Sequence, residues 1–99
     1  MLTGKQRSYL RGLANGIDPI VYIGKAGYTD TVKMEIDRAL LNRELVKVKI
    51  QEGSDLDCKT AANEAAFDLK ADYVQSIGRK FTLYRKAKDP DKRKIVLPK

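Results

Sequence analysis

The 99-residue chain predicts an α/β domain. The expected order is α-β-α-β-α-β-β, a two-layer arrangement with a four-stranded mixed sheet. Three observations carry that expectation. Apolar residues recur at helical spacing in several stretches that begin with capping residues. Short β-branched runs lie between those stretches. The last two such runs are joined at a glycine-containing turn, which reads as a closing hairpin. A length near 100 suits one domain whose core needs neither disulfide nor metal.

The first helix is expected over roughly residues 3–14, because Thr3 and Gln6 have capping-box spacing and Tyr9, Leu10 and Leu13 form an apolar stripe. Asn15-Gly16 suits its end, and Asp18-Pro19 turns the chain into Ile20-Val21-Tyr22-Ile23, which reads as a buried strand. A second helix over roughly residues 30–42 starts at Thr29 or Asp30, with Val32, Ile36, Ala39 and Leu40 on one face. Its early acids and late bases suit the helix dipole. Leu45 to Ile50 alternates with period two and places Val46, Val48 and Ile50 on one face of a strand. A third helix is expected over roughly residues 55–70, capped by Ser54 with Asp57, and its stripe of Cys58, Ala61, Ala62, Ala65, Ala66 and Leu69 implies close packing on the sheet. Tyr73–Ile77 and Phe81–Arg85 read as strands joined at Gly78-Arg79-Lys80. Helical crossovers favour parallel pairing, and the hairpin adds an antiparallel pair.

Composition excludes several classes of function. The chain holds 20 Lys and Arg against 13 Asp and Glu, a formal charge of +7, with no His and one Cys. Without His there is no Ser-His-Asp triad, no Cys-His pair and no imidazole metal site. A single Cys58 excludes a disulfide framework or a CxxC zinc site, and on its helix stripe it reads as a small buried hydrophobe. Glu52, Asp55 and Asp57 read as loop and capping acids, so no metal and no cofactor are expected, and no enzyme. No apolar stretch approaches the ~18–20 residues of a membrane span. The first residues lack the apolar segment of a signal peptide, so a cytoplasmic protein is expected. A basic excess favours phosphate-rich partners, either nucleic acid or an anionic membrane. The first helix lacks the broad apolar face of an interfacial helix, which disfavours the membrane.

The positive excess is uneven. Residues 31–70 carry seven bases and eight acids, whereas residues 71–99 carry nine bases and three acids. Residues 1–86 read as one domain, followed by a basic extension over 87–99 that either packs as an edge segment through Ile95, Val96 and Leu97 or stays flexible.

Gly24-Lys25-Ala26-Gly27 lies between a strand and a helix N-terminus. Glycines there let a nucleic-acid backbone approach, and exposed N–H groups attract phosphate. A tight turn that needs glycine for its own angles is the competing explanation. The spacing is neither that of a P-loop nor that of a dinucleotide fingerprint. Tyr28, just beyond the loop, is the best candidate to stack on a base. Arg79 and Lys80 at the hairpin tip, Arg85 at the strand end, and Lys5, Arg7 and Arg11 on the first helix are further cationic candidates. An ordinary solvated turn or helix face explains each of those equally simply.

Taken together, the segments Leu2–Arg11, Ile23-Gly-Lys-Ala-Gly27, Glu35–Leu40, Leu45–Ile50 and Ile77–Arg85 resemble the CRM domain family, named for chloroplast RNA splicing and ribosome maturation, and within it the bacterial YhbY-type single-domain proteins. The resemblance spans residues 2–86. It implies a fold similar to the C-terminal domain of translation initiation factor three. It implies RNA binding through Gly24, Lys25, Ala26 and Gly27 with neighbouring basic residues, and association with large ribosomal subunit precursors. An interaction factor on mature ribosomes is the alternative. Family members often carry a polar residue where this chain has Ala26, which leaves a backbone role at that position. The first-helix cations, the loop with Tyr28, and the hairpin bases would then line one continuous RNA-facing surface of a monomer, with no small-molecule substrate.

Overall fold

The computed structural model describes residues 2–99. Helix α1 (Gly4–Ala14) starts where the capping residues place it. Gln6 N–H donates to Thr3 Oγ1 at 3.1 Å, and Thr3 N–H donates to Gln6 Oε1 at 3.0 Å. Its buried side is Leu10 and Ala14, while Tyr9 and Leu13 of the expected stripe are exposed. Strand β1 (Val21–Ile23) follows. It is an edge strand with one face covered, so Val21 and Ile23 are buried and Tyr22 faces outward. An apolar run does not reveal whether both of its faces will be covered, and here one is not.

Helix α2 (Asp30–Arg43) is capped by Thr29, whose hydroxyl accepts the Val32 N–H at 3.2 Å. Glu44 alone connects it to strand β2 (Leu45–Ile50), at a left-handed φ of 64°. Helix α3 (Cys58–Leu69) begins about one turn later than the spacing of Ser54 suggested. Asp57 takes the cap instead, accepting the Thr60 N–H at 3.0 Å and the Thr60 hydroxyl at 2.8 Å. The alanines at 61, 62, 65 and 66 are buried against the sheet, as the stripe required. Strands β3 (Asp72–Ile77) and β4 (Lys80–Tyr84) form the closing hairpin. Its two-residue turn has Gly78 at φ 62°, a backbone angle that favours glycine.

The sheet is mixed, with order β1-β2-β4-β3. The α2 crossover makes β1 and β2 parallel, as expected. The α3 crossover does not make β2 and β3 neighbours, because β4 inserts between them antiparallel to both. Burial accounts for this order. Phe81 and Leu83 on one face of β4 and Thr82 and Tyr84 on the other are all buried, so β4 takes an inner position and the half-exposed β3 takes an edge.

Alternation along the strands divides the core in two. Val46, Val48, Ile50, Phe81 and Leu83 pack under α2 and α3 in the larger cluster. Leu45, Val74 and Tyr84 face the other way and pack with Leu2 and Leu10, flanked by Ile17, Ile95 and Leu97. The expected two layers describe α2 and α3 on the sheet. Helix α1 and the C-terminal segment add a partial third layer on the opposite face. Val74 reaches that second cluster because it is the extra residue of a β-bulge between Tyr73 and Gln75.

The C-terminal segment contains a 3₁₀ turn, Pro90–Lys92, and no strand. It is held by Glu44, which is fully buried. Glu44 Oε2 accepts the Ala87 N–H at 2.8 Å, and Oε1 accepts those of Lys94 and Ile95 at 2.8 and 3.0 Å. Gln6 adds a tie from α1 by donating to the Pro98 carbonyl at 3.1 Å.

Candidate nucleic-acid interface

The topology brings three loops to one end of the sheet, those that follow β1, β2 and β3. The Gly24–Gly27 loop leaves β1 beside the end of β2, and the Gly78-Arg79 turn sits at the same end because β4 runs antiparallel to β2. Backbone hydrogen bonds tie them together. Gln51 N–H donates to the Ile23 carbonyl at 2.8 Å and Ile50 N–H to the Arg79 carbonyl at 2.7 Å. Arg79 Nη1 donates to the Gln51 carbonyl at 3.4 Å, leaving its other N–H groups available.

Within the loop, Gly27 N–H donates to the Gly24 carbonyl at 3.0 Å, which closes a tight turn. The two glycines have different reasons to be there. Gly27 has φ 80°, a conformation that other residues adopt at a cost. Gly24 lies outside that region, and a Cβ there would meet only the Gln51 side-chain oxygen at an ordinary 3.5 Å. The protein's own packing therefore does not require glycine at position 24, whereas close approach of a ligand backbone would. Among the described residues, no backbone hydrogen bond takes the Lys25 and Ala26 amides, and both residues are exposed. The Lys25 stem lies across Gly53, close enough that a Cβ at position 53 would come within 3.1 Å of its Cε.

The helix end beside the loop is less open to phosphate than its sequence position suggests. Thr29 already takes one of the free N–H groups, and Asp30 places a carboxylate in the first turn, 3.8 Å from Lys33. The anion-attracting groups at this end are thus the Lys25 and Ala26 amides with Lys25, Arg79 and Lys80. None of these three cations is in an ion pair among the described residues.

Other sequence candidates lie elsewhere or are engaged. Tyr28 packs against the larger core, and its hydroxyl donates to Asp68 at 3.1 Å. Burial, then the Asp68 hydrogen bond, pushes that phenol well above its ordinary range. Its ring is half-buried and its hydroxyl engaged. Arg85 donates to Asp37 Oδ1 and to the Leu69 carbonyl, both at 2.8 Å, and to the Asp37 carbonyl at 3.1 Å. It pins α2 and α3 to the end of β4 away from the loops. Arg7 and Arg11 use their Nε groups on the β3 edge, donating to the Tyr73 and Val74 carbonyls at 3.2 and 3.4 Å. Lys5 is exposed on the same helix. The expected continuous surface is therefore divided. The loop and the hairpin tip meet, while the first-helix cations line the β3 edge beside the second core, toward the other end of the sheet.

The sequence reading passed over Tyr22, Lys47 and Lys49. The alternation of β2 already assigned both lysines to the face opposite Val46 and Val48. Which parts of that face stay open depends on where α1 packs.

These features define a small basic α/β domain with a glycine loop and a cationic hairpin gathered at one sheet end. The sequence model of the CRS1 / YhbY (CRM) domain matches residues 2–85, and the chain belongs to that family. The chain is 36% identical over 98 residues to a Bacillus subtilis (strain 168) protein named "Probable RNA-binding protein YqeI", covering 99% of this chain and 100% of that one. It is 39% identical over 99 residues to a Haemophilus influenzae protein named RNA-binding protein, covering 99% and 96% of the two chains. Its structure is similar to the solution structure of a hypothetical Staphylococcus aureus protein described as a candidate RNA-binding protein, with a TM-score of 0.81, 41% identity, and coverage of 99% of this chain and 100% of that one.

Proposed function

We propose that this chain is a non-enzymatic RNA-binding protein of the cytoplasm that associates with precursors of the large ribosomal subunit, holding the RNA backbone with the Gly24–Gly27 loop and the Arg79-Lys80 hairpin tip. The names of its relatives support the RNA partner. The observation that carries the mechanism is the loop itself. Gly24 has no packing reason to be glycine, and the Lys25 and Ala26 amides have no backbone partner among the described residues. Those amides, with Lys25, Arg79 and Lys80 around them, suit successive phosphates approached at close range.

Replacing Lys25 and Ala26 together by Asp tests this reading. RNA affinity falls sharply and circular dichroism stays unchanged, because both side chains are exposed. If four to six cations meet phosphates, log K falls against log salt with a slope of roughly −3 to −4. An affinity untouched by the double substitution would sink the clamp. Sedimentation of cell extracts tests the particle, since the assembly role requires enrichment on large-subunit precursors. Equal signal on mature subunits and assembled ribosomes would favour a factor of mature ribosomes instead.

A further inference from the structure

The sheet face opposite α2 and α3 is only half covered. The pairing register resolves it into rows that run across the strands. One row is Tyr22, Lys49, Lys80 and Ile77, and the next is Ile20, Lys47, Thr82 and Gln75. Beyond them, Leu45 and Tyr84 lie under α1. The first row is exposed along its length, with Tyr22 49% and Ile77 64% exposed, whereas in the second Thr82 is buried and Lys47 and Gln75 are half-buried.

The chemistry of these two rows is one-sided. They contain three lysines and no acid. Lys49 and Lys80 stand directly opposite each other on adjacent strands, a like-charge pairing that costs the free protein stability. None of the three lysines is in an ion pair among the described residues. Asp18 lies at the margin, in a groove that it shares with Arg43, Lys47 and Lys94. An aromatic ring and an aliphatic side chain flank the opposed lysines. Such a surface is complementary to a flexible polyanion with flat apolar faces.

We infer that the open half of the sheet holds a short single-stranded RNA segment, with a base stacked on Tyr22 and its phosphates on Lys47, Lys49 and Lys80. The inference rests on the RNA-binding reading above, and adds a second surface and the strandedness of the ligand. The row ends at the hairpin, so the same strand continues onto Arg79 and the glycine loop. A duplex would offer phosphates to the lysines but no unstacked base to Tyr22.

The experiment compares a short oligouridine with an RNA duplex of equal length over one series of salt concentrations, using wild type, Tyr22→Ala, Tyr22→Phe and the pair Lys47→Gln with Lys49→Gln. Loss of one stacked base weakens single-strand binding about fivefold or more in Tyr22→Ala. Tyr22→Phe retains binding, and duplex affinity is unchanged in both. The lysine pair lowers the steepness of the single-strand salt dependence by about 1.4. Oligouridine carrying 5-iodouridine crosslinks to the peptide that contains Tyr22. Single-strand affinity unchanged in Tyr22→Ala, while Lys25→Asp with Ala26→Asp lowers it, overturns the sheet surface and leaves the RNA reading standing. Wild type that binds neither RNA overturns both. Equal losses on single strand and duplex in Tyr22→Ala overturn the single-strand assignment. A self-associating wild type whose dimer is lost in Tyr22→Ala at constant RNA affinity makes the face a contact between copies, which also overturns the proposal.

Discussion

The buried carboxylate of Glu44 accepts the backbone N–H of Ala87 at 2.8 Å, across 43 positions of sequence. The same side chain accepts the Lys94 and Ile95 amides, so one residue between α2 and β2 organises the start of the C-terminal segment. Replacing Glu44 by Ala leaves three inward amides without an acceptor and costs about 3 kcal/mol or more. Urea denaturation measures that loss. Faster hydrogen exchange at Ala87, Lys94 and Ile95 localises it, and unchanged exchange there would count against the anchor.

Glu44 also makes stability depend on acid. Burial pushes its carboxyl up, but the three amide donors and Arg93 outweigh that and hold it below its ordinary value. Its contribution is therefore complete above the unfolded carboxylate range and is lost as pH falls through the lowered folded value. Stability falls on acidification below about pH 4. In Glu44→Gln the part of that fall owed to this group is missing, which a denaturation series against pH detects.

The two loop glycines should separate fold from function. Gly24→Ala keeps the thermal midpoint and lowers RNA affinity, since within the protein the new methyl group meets only the Gln51 side-chain oxygen at an ordinary contact distance, whereas a closely approaching ligand backbone would collide with it. Gly27→Ala lowers the midpoint, because φ 80° disfavours alanine, at a cost of roughly 1 kcal/mol. Equal behaviour of the two variants in both assays would contradict the assignment.

Arg85 is expected to matter for stability and not for RNA. Its side chain is mostly buried and donates to Asp37 and Leu69. Arg85→Met breaks those contacts and lowers stability by about 1–3 kcal/mol, with RNA affinity at constant salt unchanged within twofold. A selective loss of RNA affinity in the folded variant would return Arg85 to the interface.

Cys58 should be a slow nucleophile. Burial, then the neighbouring Asp57, pushes its thiol up, so less thiolate is present at neutral pH than in a free cysteine. Its reaction with a disulfide reagent is slower than that of glutathione at pH 7, and urea removes most of the difference. A rate equal to that of glutathione in the folded protein would contradict this.

Local patterns were legible wherever the deciding interaction is local. Thr3 and Gln6 lie three residues apart and cap α1 as their spacing required. The alternation of Val46, Val48 and Ile50 defined the inner face of β2. Spacing misplaced the start of α3, because Ser54 and Asp57 are both competent caps and only Asp57 finds two donors on Thr60. Arg85 read as a free cation because Asp37 is 48 residues away. Tyr28 read as a stacking candidate from its place beside the loop, and the partner of its hydroxyl, Asp68, lies 40 residues further on.

By itself, then, the sequence determined the α/β class, the element order, the glycine loop and the excess of positive charge. These follow from period, capping and composition, which act over a few residues. Tertiary structure decided the strand order, the half-covered sheet face and the fate of each cation. Inserting β4 between β2 and β3 buries Phe81, Thr82, Leu83 and Tyr84 on its two faces and sets Lys49 opposite Lys80. Packing α1 on Leu45, Val74 and Tyr84 covers one end of that face and leaves Tyr22 open at the other. Arg7, Arg11 and Arg85 then go to backbone carbonyls and a carboxylate, while Lys25, Arg79 and Lys80 meet at the loops, because hydrogen-bond partners distant in sequence are chosen only when the sheet closes.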